Sequence, residues 1–353
     1  MQKYTSIFTD LKYLLGYKVP VGTFFAICAG GWYSYVVPFY AFVLIPLMEM
    51  MLPADVSNLS PEQEHSKLKN KFFDWLLYLN VPLQFFLLFY FCHMISDPGR
   101  ELWEKIGMTA SMGIACGVLG INVAHELGHR QSRTEQGLAQ LLLLTSLYMH
   151  FFIEHNRGHH RNVGTGEDPA SARYGESLYR FYFRTVPGSF RSAWRLEKLR
   201  LQRGGKRVWS GHNQMLRFIV YQALFTAFIF AVSGPAGGLG FMCAALGGIL
   251  LLETVNYVEH YGLRRKLIEP GLYEKVKPEH SWNSDHLMGR IMLYELTRHS
   301  DHHYKATRKF QVLRHFEQSP QLPLGYPGSM VLACFPPLWF AVMHRRIRGM
   351  RPV

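Results

Sequence analysis

Five runs of uncharged or nearly uncharged residues, at 33–48, 75–96, 106–124, 216–233 and 236–258, constrain this chain more than anything else in it. Each supplies most of the ~20 residues that a helix needs to cross the hydrocarbon of a bilayer. In hydrocarbon every backbone polar group has to be bonded internally, so such runs are read as helices. Ahead of Trp32 the pattern is less regular. One helix over 20–50 would be ~45 Å long, too long for a ~30 Å core. A hairpin broken at Gly30-Gly31 fits better, with a first span from about Leu11 to Ala29 and with Lys12 and Lys18 snorkelling at one face. The expectation is an all-α integral membrane protein of about six transmembrane helices. Residues 11–128 hold four spans and 216–260 hold two, with a polar region at 129–215 and another at 261–353. No cleavable signal peptide is expected, because the lysines are dispersed and no small-residue cleavage site follows a short apolar core.

Charge sets the expected orientation. With six spans both termini share a side with the loops 53–71 and 129–215. Of 38 Lys and Arg, only Arg100 and Lys105 fall in the opposite connections, so the positive-inside bias puts both termini in the cytoplasm. The net charge of +13 is thus a topology signal; no aromatic-basic module accompanies it, which excludes a nucleic-acid surface. The five cysteines stand singly in apolar stretches, without a C-x-x-C pair, so the chain holds no zinc ribbon and no iron–sulfur module.

The apolar stretch 137–153 tempts a further span. "HELGH" (125–129) ends just before it and "EHNRGHHRN" begins just after. A crossing helix of 17 residues would hold the two clusters ~25 Å apart on opposite faces. Metal–ligand bonds are ~2 Å, so a shared site requires this segment to stay on the cytoplasmic side, packed or re-entrant.

Histidine spacing favours a shared site. Of 17 histidines, His125 and His129 form H-x3-H, His155, His159 and His160 form H-x3-H-H, and His299, His302 and His303 form H-x2-H-H. On a helix, positions three or four apart share a face, so each cluster is expected to point its imidazoles at one place. "HELGH" alone matches the zinc-protease pattern, but that reading leaves the other clusters unexplained. Eight imidazoles exceed the three or four that one zinc takes and suit two metals; softness alone leaves iron, copper and zinc open.

"NVAHELGHR", "HFFIEHNRGHHRNVGTGEDPASARYGES", "NYVEHYGL" and "LTRHSDHHYKATRKFQVLR" closely resemble the signatures of the integral-membrane non-haem diiron alkane monooxygenases of bacteria. "WRLEKLRLQRGGKRVWS", "KPEHSWNSDH" and "LPLGYPG" extend the match over most of the chain after about residue 70. The three clusters alone also resemble membrane fatty-acid desaturases and hydroxylases; "NYVEHYGL" separates the two by adding His260. The resemblance implies nine ligands, His125, His129, His155, His159, His160, His260, His299, His302 and His303, shared between two irons in a His-rich cytoplasmic cap. It implies terminal hydroxylation of medium- to long-chain n-alkanes with O2 in the bacterial inner membrane. Electrons would come from rubredoxin, itself reduced by an NADH-dependent flavin reductase.

Several further residues acquire expectations. Ligating histidines usually donate their free N–H to a carboxylate, and Glu126, Glu154, Asp168, Glu259 and Asp301 stand beside the ligands. Glu253, a charge inside a span, is expected to face the site or an arginine such as Arg298. His280 and His286 are the other histidines expected near the site, as supporting groups. Tyr35, Phe39, Tyr40 and Ala41 are candidates to line an alkane tunnel. In the family a bulky residue five before a proline on this span limits chain length; counting back from Pro46 gives the small Ala41. Arg157, Arg161, Lys305, Arg308 and Lys309 form a candidate docking surface for an acidic rubredoxin. At Gly164 the family more often has alanine, and the glycine is expected to loosen that loop.

Overall fold

The structure, a computed structural model, describes residues 10–350. It is mostly helical, with one small β-hairpin pairing Leu267–Glu269 with Leu272–Tyr273. After a 3-10 segment, Leu11–Tyr17, the principal helices are α1 (Lys18–Ala29), α2 (Gly31–Met51), α3 (Phe72–Ile95), α4 (Leu102–Gly128), α5 (Arg133–Thr145), α6 (Leu178–Arg203) and α7 (Gln214–His260). Four of these, α2, α3, α4 and α7, are long and apolar enough to cross a membrane.

The 47-residue α7 contains two of the apolar runs read from the sequence and is broken between them. Gly234 has φ 68 and ψ −176, ahead of Pro235. Proline lacks an amide N–H and its ring crowds the preceding turn, and only glycine takes that φ without cost. The α1–α2 connection bends by the same means, with Gly30 and Gly31 at φ 62 and 53. Glu104 of α4 accepts from the Gly31 amide and so clasps this turn.

α4 is the central rod. It meets α7 where glycines face each other: a Cβ on Gly248 would lie 2.6 Å from Cys116 Cβ and 3.0 Å from the Gly117 amide nitrogen. Small residues at this crossing let the backbones approach, as is usual between apolar helices. Around it pack Met108, Met112, Leu119, Phe91, Phe241 and Ala244, all fully or almost fully buried.

The stretch 137–153 is not one helix. α5 ends at Thr145, and the chain reverses through Leu147, a non-glycine residue at φ 51, before resuming at Phe151–Glu154. Ser146 donates to the Cys116 carbonyl (3.0 Å) and Gln84 to Thr145 (3.2 Å), bracing this buried turn. The segment therefore returns to the end it left, and the two histidine clusters meet.

Three π-helical turns interrupt the α-helices, at Tyr40–Leu44, Cys116–Asn122 and His155–His159. Such turns are frequent at functional sites, and these three surround one cavity.

Candidate metal centre

The nine sequence-selected histidines come together in two groups. His125, His129, His155, His160 and His302 form one; His159, His260, His299 and His303 form the other. Neighbouring Nε2 atoms lie 2.9–3.2 Å apart, from His125–His302 at 2.9 Å to His159–His303 and His260–His299 at 3.2 Å. His160 Nε2 alone meets His129 (3.2 Å), His155 (3.0 Å) and His302 (3.1 Å). One ring nitrogen carries one proton or one lone pair, so it cannot hydrogen-bond three others of its kind. A cation in the middle resolves the conflict. Nitrogens ~2.1 Å from one ion are spaced ~3.0 Å apart along the edge of an octahedron, which matches these contacts. The donor set is imidazole throughout, a set that suits iron, copper or zinc, so the residues fit two transition-metal ions.

The groups do not follow the sequence clusters. Helical spacing pairs His155 with His159, but the π turn, whose hydrogen bonds run i to i+5, pairs His155 with His160 and turns His159 to the other group. Adjacent His302 and His303 likewise diverge. The expectation of one target per cluster is corrected accordingly.

Burial keeps most of these rings neutral, the form that binds metal. It lowers His155, His160, His299, His302 and His303 well below the usual histidine range and His129 to about 3. His159 is the exception: burial lowers it, but the Asp168 carboxylate, accepting from Nδ1 at 2.9 Å, outweighs burial and raises it to about 9. Asp168 is itself held by Ser171 (2.5 Å) and the Ala170 amide (3.1 Å).

Of the other expected carboxylates, Glu259 brings Oε2 to 3.1 Å from His299 Nε2. The remaining three have no hydrogen bond to a ligand histidine among the described residues. Glu126 pairs with Arg130 (2.8 Å) and accepts from the Phe310 amide, so it is not placed as a metalloprotease base. Burial raises Glu154 to about 8, and it accepts from Ser192 at 3.3 Å. Asp301 accepts three bonds, two from Arg308 (2.9 and 2.6 Å) and one from the Arg314 amide (2.8 Å).

Other expectations also change. Glu253 meets no arginine among the described residues; it accepts from Tyr148 (2.7 Å), Thr185 (2.8 Å) and Asn256 (3.2 Å), three neutral donors that suit a carboxyl in an apolar span. Arg298 instead binds the carbonyls of Asp55, Ser57 and Leu313. His280 caps the turn after Lys277 and faces Glu274, and His286 bonds Ser284, both outside the two groups. Glu274, Glu279 and His280 cluster, but Lys277 reaches both carboxylates, at 3.0 and 3.4 Å. Gly164 tightens its loop: at φ 71, its amide donates to Ser171 and its carbonyl accepts from Arg265. Three of the five basic residues are committed internally, Arg157 to Glu197, Arg308 to Asp301 and Lys309 to Asp74.

An apolar cavity abuts both groups. Its walls include Tyr40, Ala41, Ile114, Leu251 and Val255, and His125, His155, His299 and Glu259 close one end. Tyr35 and Phe39 are not among its walls. The Tyr35 hydroxyl donates to the Trp103 carbonyl, and Phe39 is half exposed on an outer groove, because the 3-10 and π segments of α2 rotate successive side chains away from one helical face. Asn122 and Asn256, polar residues in apolar runs, also line the cavity. Their polarity was the available signal; the walls from Met292, Leu296 and Met330 had none, because they come from distant parts of the chain.

A helical bundle carrying two polyhistidine foci beside an apolar cavity defines a class of membrane-embedded metalloenzyme, and residues 102–328 match the fatty acid desaturase family model. An alkane 1-monooxygenase of Acinetobacter baylyi is 40% identical over 88% of this chain and 76% of its own. Alkane 1-monooxygenase 1 of Alcanivorax borkumensis is 41% identical over 90% and 78%. The xylene/toluene monooxygenase hydroxylase component of Pseudomonas putida is 28% identical over 86% and 80%. The chain belongs to the alkane 1-monooxygenase family within that desaturase and hydroxylase superfamily.

Proposed function

We propose that this protein is an alkane 1-monooxygenase that converts the terminal methyl of an n-alkane to a primary alcohol: R–CH3 + O2 + 2 e− + 2 H+ → R–CH2OH + H2O. The observation that carries this reading is the convergence of nine imidazoles, in two groups, on the end of an apolar cavity. We assign the nine histidines as ligands to two irons, five on one and four on the other. When bound, the irons supply the activation of oxygen.

The chain's own residues do the rest. Asp168 fixes the His159 tautomer so that Nε2 faces the metal. The cavity walls exclude water and recognise the substrate by burial alone, at ~0.8 kcal/mol per CH2. A chain entering end-on presents its methyl carbon to the histidines. A fatty acid would bring a carboxylate or thioester, and among the described residues no Lys or Arg lines the cavity to receive one, which favours an alkane.

The break at Gly234 and the hairpin at Gly30-Gly31 support a six-span arrangement, and the distribution of basic residues supports cytoplasmic termini and active site in a bacterial inner membrane. Rubredoxin, reduced by its NADH-dependent reductase, is the proposed donor. Of the five candidate docking residues, Arg161 and Lys305 are the two not tied up in ion pairs with described residues, and they are the docking charges that remain.

The test supplies purified protein in lipid with reduced rubredoxin, a liquid n-alkane and isotopically labelled O2. Labelled 1-alkanol supports the reading; desaturated fatty acyl product without alkanol would replace it with a desaturase.

A further inference from the structure

Glu259 was grouped in the sequence with carboxylates that support a ligand from behind. Its position is different. Asp168 takes the Nδ1 proton of His159, on the side of the ring away from the metal focus. Glu259 Oε2 lies 3.1 Å from the Nε2 of His299, the nitrogen that also meets His260 Nε2 at 3.2 Å. The carboxylate therefore stands on the metal side of the His299 imidazole, as close to His299 Nε2 as His260 is, at the edge of the four-histidine group. It also lines the apolar cavity, so it occupies the boundary between the four-histidine group and the space for substrate.

Charge leads to the same place. Glu259 is buried at 1% exposure, and its side-chain partners among the described residues are the Tyr326 hydroxyl (2.8 Å on Oε1) and His299, with no lysine or arginine. Among the other buried acids, Glu126 has Arg130, Asp301 has Arg308 and Glu295 has Arg290, while Glu253 has three neutral donors, Glu154 has Ser192 and Glu49 has the Gly289 amide; of those without a cation, Glu259 is the one whose oxygen meets the Nε2 of a ligand histidine. A buried carboxylate without a cation is costly. A divalent ion held by these four imidazoles would bring its own positive charge into the same low-dielectric space. Each resolves the other.

We propose that Glu259 is a metal-facing carboxylate, an oxygen donor on the cavity side of the four-histidine group, with Tyr326 holding its second oxygen. The inference rests on the two-iron reading above and adds to the nine imidazoles one anionic group at one of the two metals.

The experiment uses the full chain loaded with 57Fe, as wild type, Glu259→Gln and Tyr326→Phe. It reads Mössbauer spectra and the rate at which each iron is lost to a chelator. His303→Ala identifies the spectral component of the four-histidine group. Glu259→Gln is expected to lose that iron about tenfold faster or more while the other stays. Tyr326→Phe is expected to change the quadrupole splitting of the same component with both irons retained. Wild-type loss rates and unchanged spectra in both variants would overturn the proposal. If Glu259→Gln does not fold, an unchanged component in Tyr326→Phe overturns it alone. A wild type that binds no iron pair would overturn the two-iron reading itself, and this inference with it.

Discussion

The Nε2 atoms of His155 and His160 lie 3.0 Å apart although five residues separate them, while His159, four residues from His155, faces the other metal focus. The π turn at His155–His159 produces this exchange. Ligand variants should therefore sort by focus rather than by position in the chain. His160→Ala and His302→Ala should deplete the same iron, and His159→Ala and His303→Ala the other. The neighbours His302 and His303 should thus give different residual Mössbauer components. Identical residual spectra from those two variants would contradict the five-and-four division.

His159 depends on Asp168 for its tautomer. Replacing the carboxylate by an amide in Asp168→Asn keeps the shape and removes the anion from Nδ1. Losing such a partner typically costs 10–100-fold in metal affinity, and the loss should fall on the four-histidine focus. Competition with a metal-indicator dye measures it; unchanged affinity at both foci would show that Asp168 only braces the Thr165–Ser171 loop.

Ala41 lines the cavity where a longer side chain would shorten it. Ala41→Trp should move the preferred alkane to shorter chains. Each CH2 no longer buried is worth ~0.8 kcal/mol, or about fourfold in kcat/KM for alkanes that no longer fit. Initial rates across an n-alkane series give the profile, and an unshifted optimum would remove Ala41 from the tunnel. Phe39→Ala, on the outer groove, should leave the profile unchanged.

His299 is presented by a turn in which Tyr294 and Glu295 both adopt positive φ, 50 and 57, a conformation that costs ~1 kcal/mol or more per residue. Arg290 at 2.7 Å and the Tyr13 hydroxyl at 2.5 Å hold Glu295 there, and Arg290 also reaches Asp55 at 2.9 Å. Burial raises both carboxyls, but Arg290 pulls Glu295 below the usual range, and the Ser57 hydroxyl and amide with Arg290 hold Asp55 down to about 2. A carboxyl depressed in the folded state contributes stability above its unfolded value, ~4, and that contribution is lost as pH falls toward the folded value. Thermal unfolding of metal-free protein in detergent should change little in this contribution from pH 7 to 5 and fall between about pH 4 and 2. Arg290→Met should cost ~3 kcal/mol at pH 7, because it removes the closest cation of the buried Glu295 and leaves only Arg298, at 3.8 Å. Wild-type stability in Arg290→Met would contradict this role.

The identities of the converging histidines were legible because ligand spacing is local, and because His260 comes with its own flanking motif. Their partition was not, since it depends on one extra residue per turn at His155–His159 that no spacing rule announces. The reversal at Leu147 was legible only as a requirement: the clusters had to meet, but a non-glycine residue at φ 51 gives no sequence signal. Tyr35 and Phe39 misled for a related reason, as a uniform helix would have aimed them with Tyr40. Glu253 was noticed for its charge in an apolar span, but its partners, Tyr148 and Thr185, come from segments far away in the chain.

The most direct test of the central claim, that the nine histidines form two iron centres, is the metal content of the purified, iron-replete chain. Two irons per chain, falling to one in both His303→Ala and His302→Ala, is the predicted result. A single zinc retained by His125 and His129, unaffected by His303→Ala, would contradict it and return "HELGH" to the zinc enzymes.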